Sequence, residues 1–151
     1  SLSDKITIIP FPLIDNIKET EFNMSSIEWG GSISTFGEDY KHDGSILEKK
    51  FRYKMVGLSM NDCVNYLKIE QPDYIKIDVD GVEHLILKGG NQILKKTKSL
   101  LVEVDDKFVY QAEKIEKYLT ESGFKLTEKK HSDLIEKSKL KSVFNQIWEK
   151  V

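Results

Sequence analysis

Tyr74-Ile75-Lys76-Ile77-Asp78-Val79-Asp80-Gly81-Val82-Glu83 decides the reading of this chain. An apolar-rich run, read as a central strand over Tyr74–Val79, ends in two carboxylates. A glycine and a helical pattern come next. In an α/β fold, ligands gather where strands end and helices begin, so chemistry is sought first at this turn.

Outward from the turn, Val82, Leu85, Ile86, Ile93 and Leu94 fit one helical face. Gly89-Gly90 interrupts it, either ending one helix or allowing close approach to the sheet. Ser99–Val104 reads as the next buried strand, and Asp105-Asp106 stand where they could cap the next helix. Phe108, Ala112, Ile115 and Leu119 share a face of that helix, with Gly123 suited to the residue past its end and Phe124 to the apolar contact after it. Phe124–Lys130 and Ser142–Glu149 read as an antiparallel pair at one edge, joined by the polar stretch His131–Lys141.

Upstream of the turn, Lys5–Phe11 reads as a strand that Pro10 and Pro12 keep from ending regularly. Glu19–Ser25 reads as extended, Trp29–Gly37 and Tyr40–Lys50 as loops, and Phe51–Leu58 as a strand. Ser59 with Asp62 three residues on marks a helix start. The succession strand, helix, strand, helix, strand, strand predicts α/β with a mostly parallel sheet.

The 151 residues suit a single domain, with 39% hydrophobic residues to form a core. A net charge of −2 gives no general argument for nucleic acid or an anionic membrane surface as partner. No apolar run approaches a membrane span and no signal-peptide pattern is seen. Cys63 is alone, which excludes an internal disulfide and a cysteine-based zinc site, and a reducing cytoplasm is the expected compartment. The three histidines are scattered, so no metal is expected.

Asp78 and Asp80 could bind Mg²⁺, act as nucleophile and acid–base, or orient a cofactor and substrate. Asp80 with Glu83 three residues later also fits a capping box, which makes Asp80, Gly81 and Glu83 a structural turn. Asp78 has no such role: it either touches the reactants or supports groups that do. His84 is expected to face solvent. Glu103, polar within an apolar strand, either faces the cleft or pairs with a lysine. Ser32, Ser34 and Thr35 are read as loop residues that could touch a substrate.

Two resemblances compete. Asp78-Val79-Asp80-Gly81-Val82 resembles the first motif of haloacid-dehalogenase-type, Mg-dependent phosphatases, but that motif opens its domain, and too little chain comes after it here. The FkbM family of S-adenosylmethionine-dependent methyltransferases is the better match. Tyr74–Glu83 resembles its "YIKIDVEGAE", with Asp80 for Glu and Val82 for Ala. Leu58–Leu67 resembles the segment holding "TLDDL", Leu87–Gly90 "LKGA", Leu101–Glu103 "LVE", and Lys5–Asp15 a strand and turn ending in an "ALSD"-like segment. Phe22–Phe36 resembles the family's variable hairpin.

The resemblance implies a Rossmann-like class I methyltransferase sheet, truncated at its N-terminal side, with an antiparallel C-terminal strand pair. Its glycine-rich cofactor loop has no counterpart here. It further implies S-adenosylmethionine as cofactor and O-methyl transfer to a hydroxyl of a small-molecule, glycan or natural-product-like acceptor. Asp78 and Glu103 become the catalytic candidates, and Phe11, Pro12 and Leu13 the cofactor-binding ones. The alternative is a non-catalytic binding or assembly fragment. On this reading the strand at Tyr74–Val79 has an open edge. That edge is expected to be covered by Lys5–Phe11, by rearrangement, or by a second copy in a homodimer.

Overall fold

The structure, a computed structural model, describes residues 2–29, 31, 33–131 and 141–151. Ser32, and the polar connection from 132 to 140, lie outside the described residues.

Two sheets form the framework of the described residues. In the first, β1 (Lys18–Met24) lies between β2 (Ser34–Phe36) and β3 (Phe51–Gly57), all antiparallel. The expected extended piece and the strand at Phe51 are both present. β2 is an addition, formed inside the stretch read as a loop. Its Phe36 is buried against Gly57, where a Cβ would stand 2.2 Å from the ring. Only glycine lets the aromatic ring cover the end of β3.

The second sheet has the order β4-β5-β7-β6, from β4 (Tyr74–Ile77), β5 (Ser99–Asp105), β6 (Phe124–Lys130) and β7 (Val143–Lys150). Here the expectation of a mostly parallel sheet is corrected. Only β4 and β5 pair in parallel; β7 runs antiparallel to both β5 and β6. The strands β4, β5 and β6 do point the same way. The last strand returns between the other two, so the antiparallel pairing reaches one position further into the sheet than an edge hairpin would.

Among the described residues there are four α-helices: α1 (Met60–Leu67), α2 (Glu83–Lys88), α3 (Asn91–Leu94) and α4 (Val109–Glu121). None is long and apolar enough to cross a membrane among the described residues. α1 starts as its sequence predicts. Ser59 Oγ accepts from the Asp62 N–H at 3.0 Å, and Asp62 Oδ2 accepts from the Ser59 N–H at 2.9 Å. α4 ends at Ser122, and Gly123 comes next with φ +80°. Phe124 then turns inward, 3% exposed. α2 and α4 pack on the second sheet through Ile86, Leu87, Ile115 and Leu119, which meet Val102 and Trp148 in one core.

Of the two readings of Gly89-Gly90, the helix end is found and the close approach to the sheet is not. α2 stops there, and a Cβ on Gly89 would sit 2.5 Å from the Ile14 carbonyl oxygen, one on Gly90 2.0 Å from Met60 Cε. The close approach is to the N-terminal segment and α1, not to the sheet.

The N-terminal strand is a correction. Leu2–Lys5 is a short 3-10 turn, and no strand spans the residues up to Phe11. Ile6 is 62% exposed and Ile8 85%. Pro10 and Pro12 supply no N–H, so a ladder cannot propagate through them. The segment joins the fold only further on, where Leu58 N–H donates to Pro12 O at 3.0 Å and Ile14 N–H to Leu58 O at 2.9 Å. It therefore does not cover the edge of β4 as a strand.

Candidate functional site

The turn after β4 is built by Gly81 and Glu83. Gly81 has φ +109°, and a Cβ there would stand 2.8 Å from Lys41 O and 3.2 Å from the His42 Cα. The long loop before β3 therefore lies directly on the turn. Glu83 is only 2% exposed. The backbone N–H groups of Val79, Gly81 and Glu83 itself are near enough to favour its charged form. Its carboxylate accepts from Gln111 Nε2 at 2.6 Å, and Gln111 donates to Gly81 O as well. Burial pushes the Glu83 carboxyl up to about 8, against the pull of the three backbone donors.

This corrects the expected cap. α2 begins after Val82 with no side-chain cap. Glu83 staples the turn from inside, and Asp80 reaches out of it: its Oδ2 accepts from the Ser34 N–H of β2 at 2.8 Å. In place of a capping box there are two separate ties, one to α4 and one to the other sheet. Asp105 and Asp106 likewise do not cap α4, whose first turn has no side-chain cap. Asp106 pairs with Lys129 at 2.7 Å.

His84 is also corrected. It is 4% exposed, packed edge-on against Phe108 and Tyr110. Burial, with Lys114 and Lys88 adding, lowers its ring to about 4, so it is neutral at physiological pH. Its Nδ1 has no hydrogen-bond partner among the described residues.

Asp78 stands beyond the last residue of β4 with its side chain 44% exposed, 2.6 Å from Lys76 Nζ. That pair is at the surface and contributes little to stability. Asp78 also shares a hydrogen bond with Glu103 on the neighbouring parallel strand. The Glu103 carboxyl is raised, by burial first and by Asp78 second, with His42 and Lys76 opposing. Glu103 thus lies beside Asp78, with Lys76 also close by.

A cavity of about 650 Å³ runs along the free edge of β4 to this point. Its apolar wall includes Pro12, Leu13, Phe36, Met60 and Ile77, and Asp78 and Asp80 lie at its polar end. Pro12 and Leu13 thus share a cavity with Asp78. Phe11, 40% exposed, lines a neighbouring cavity with Leu13, Tyr74 and Lys76. No three His, Cys, Asp or Glu side chains are placed to hold a metal ion among the described residues.

Reasoning from the sequence misses His42. Its Nδ1 lies 3.0 Å from Asp105 Oδ2, a carboxylate with a side chain only 2% exposed. The other Asp105 oxygen accepts from the Lys107 N–H at 3.0 Å. No local pattern links two residues 63 positions apart, and scattered histidines make no motif. The one trace is Gly81, whose missing side chain admits the loop that carries His42.

The molecule thus falls in the class of α/β proteins that gather their polar groups at the carboxyl ends of parallel strands. The model of the Methyltransferase FkbM domain matches residues 58–126, so over this stretch the chain is similar to FkbM-type methyltransferases. The match spans β4, its turn and β5, and so includes Asp78, Glu83, Glu103 and Asp105. No curated protein and no solved structure matches the chain.

Proposed function

We propose that the chain binds S-adenosylmethionine in the cavity beside β4 and directs its methyl group to a hydroxyl of a small-molecule or glycan acceptor. The observation that carries this is an apolar cavity ending in Asp78 and Asp80, within the segment that matches the methyltransferase family. The residues fit such a cofactor. About 650 Å³ is ample for a ligand of this size, the apolar wall suits a flat adenine, and carboxylates suit its positive centres. When bound, the cofactor supplies an electrophilic methyl group on a positively charged sulfur. The chain's part is alignment, which for oriented reactants accounts for much of a rate. Asp78 accepts a hydrogen bond at the mouth, and Glu103, kept protonated to higher pH by its surroundings, orients Asp78. Calorimetry with S-adenosylmethionine tests the reading: micromolar binding that weakens in Asp78→Asn supports it, and the absence of binding refutes it.

A second reading, that the chain serves as a binding or assembly fragment, draws on the free edge of β4, which no strand covers among the described residues. Failure to bind the cofactor, with self-association intact, would favour it.

A further inference from the structure

We infer that His42, held by Asp105, is the base that receives the proton of the acceptor hydroxyl, an inference that rests on the methyltransferase reading above.

The geometry fixes the ring's tautomer. Asp105 is buried, and both its oxygens accept: one from the Lys107 N–H, the other from His42 Nδ1. Nδ1 therefore carries the proton, and Nε2 presents its lone pair. Nε2 makes no hydrogen bond among the described residues, and the side chain is 26% exposed. A carboxylate behind one ring nitrogen and a free lone pair on the other is the arrangement that orients an imidazole for proton transfer. The surroundings match that task. Once protonated, the His42 imidazolium favours the Glu103 carboxylate, and Glu103 in turn lies beside Asp78. The loop bearing His42 is pressed against the Gly81 turn, so it cannot drift away from the end of β4 without opening that contact.

No alternative in the cluster serves as well. Asp78 is already engaged by Lys76 at 2.6 Å. Glu103 is raised by burial and by Asp78, and it holds its own proton to higher pH. His84 is neutral but enclosed by Phe108 and Tyr110.

The step balances on named groups. The acceptor oxygen forms the new C–O bond as the methyl carbon–sulfur bond breaks, with that electron pair remaining on the now neutral sulfur. The hydroxyl proton passes to His42 Nε2, and the Asp105 carboxylate stabilises the resulting imidazolium.

The test needs no known acceptor. The full chain is mixed with S-adenosylmethionine carrying a ¹³C-labelled methyl group, and binding is measured by calorimetry. An isotope-filtered NOE experiment then reads protons near the bound methyl. Ring ¹⁵N shifts read the tautomer in the wild type and in Asp105→Asn. The inference expects a cross-peak from the methyl group to the His42 ring, assigned by its loss in His42→Gln. It also expects an Nδ1–H tautomer that becomes mixed in Asp105→Asn. Binding without a cross-peak to His42 overturns the inference and leaves the cofactor reading standing. No binding removes both.

Discussion

Gly81 carries the site's geometry on one backbone angle. Its φ of +109° is open to glycine and strained for a side chain, and a Cβ would press on Lys41 O at 2.8 Å. Gly81→Ala is expected to cost about 1–3 kcal/mol, read as a lowered urea midpoint, and to loosen the loop that carries His42. Glu83, beside it, makes stability depend on pH. Its carboxyl titrates near the ordinary 4.5 when unfolded and is raised to about 8 when folded. Between those values the folded chain holds a proton that the unfolded chain has lost, so this group's contribution falls as pH rises through the window. The stability advantage of the wild type over Glu83→Gln should therefore shrink from pH 5 to pH 8 in urea titrations, and a constant gap would contradict the assignment. For His42 the readout is turnover. With an acceptor that the chain methylates, His42→Gln should lower kcat by about 10²–10⁴-fold. The loss should be much smaller for a nitrophenol already ionised at the assay pH, a contrast that mere structural damage would not produce.

Among the elements, α1 shows what local sequence can specify. Ser59 and Asp62 bond reciprocally, as their spacing predicts. Ser59→Ala should cost about 0.5–2 kcal/mol in thermal or urea unfolding. The same spacing at Asp80 and Glu83 predicts a second box that does not form. The difference is tertiary: Gln111 of α4 claims Glu83, and Ser34 of β2 claims Asp80. A cap is a contest between nearby donors, and sequence spacing names only one contestant. β5 and α4 are legible because their burial keeps one period along an uninterrupted run, as with Ala112, Ile115 and Leu119. Lys5–Phe11 shows the converse. Its residues suit a strand, but with prolines at its end and no pairing partner it forms none. The site divides along the same line. Asp78 stands in the motif, while His42 reaches Asp105 only through the packing of a polar loop on Gly81.

At the scale of the whole molecule, the two sheets are tied beside the site by Asp80, which accepts from the Ser34 N–H of β2. The second sheet nevertheless ends on an unpaired strand. β4 pairs with β5 on one side, and nothing described forms a ladder with the other. Beside that edge lie two cavities, of about 650 and about 640 Å³, with Tyr74 72% exposed. An edge that presents backbone donors and acceptors between apolar hollows is a template for further pairing. Sheets protected from such pairing carry charges or bulges on their edge strands. Here Lys76 could serve, but its ammonium is drawn to Asp78 at the strand's end. Concentration-dependent association is therefore expected in sedimentation velocity. Tyr74→Lys, which places a charge on the edge strand itself at an exposed residue, should weaken it, whereas Tyr66→Lys, an exposed change on α1 rather than on β4, should leave it intact. Equal loss in both variants would assign association to general surface apolarity, and a wild type that stays monomeric at high concentration would show that the edge is not a pairing site.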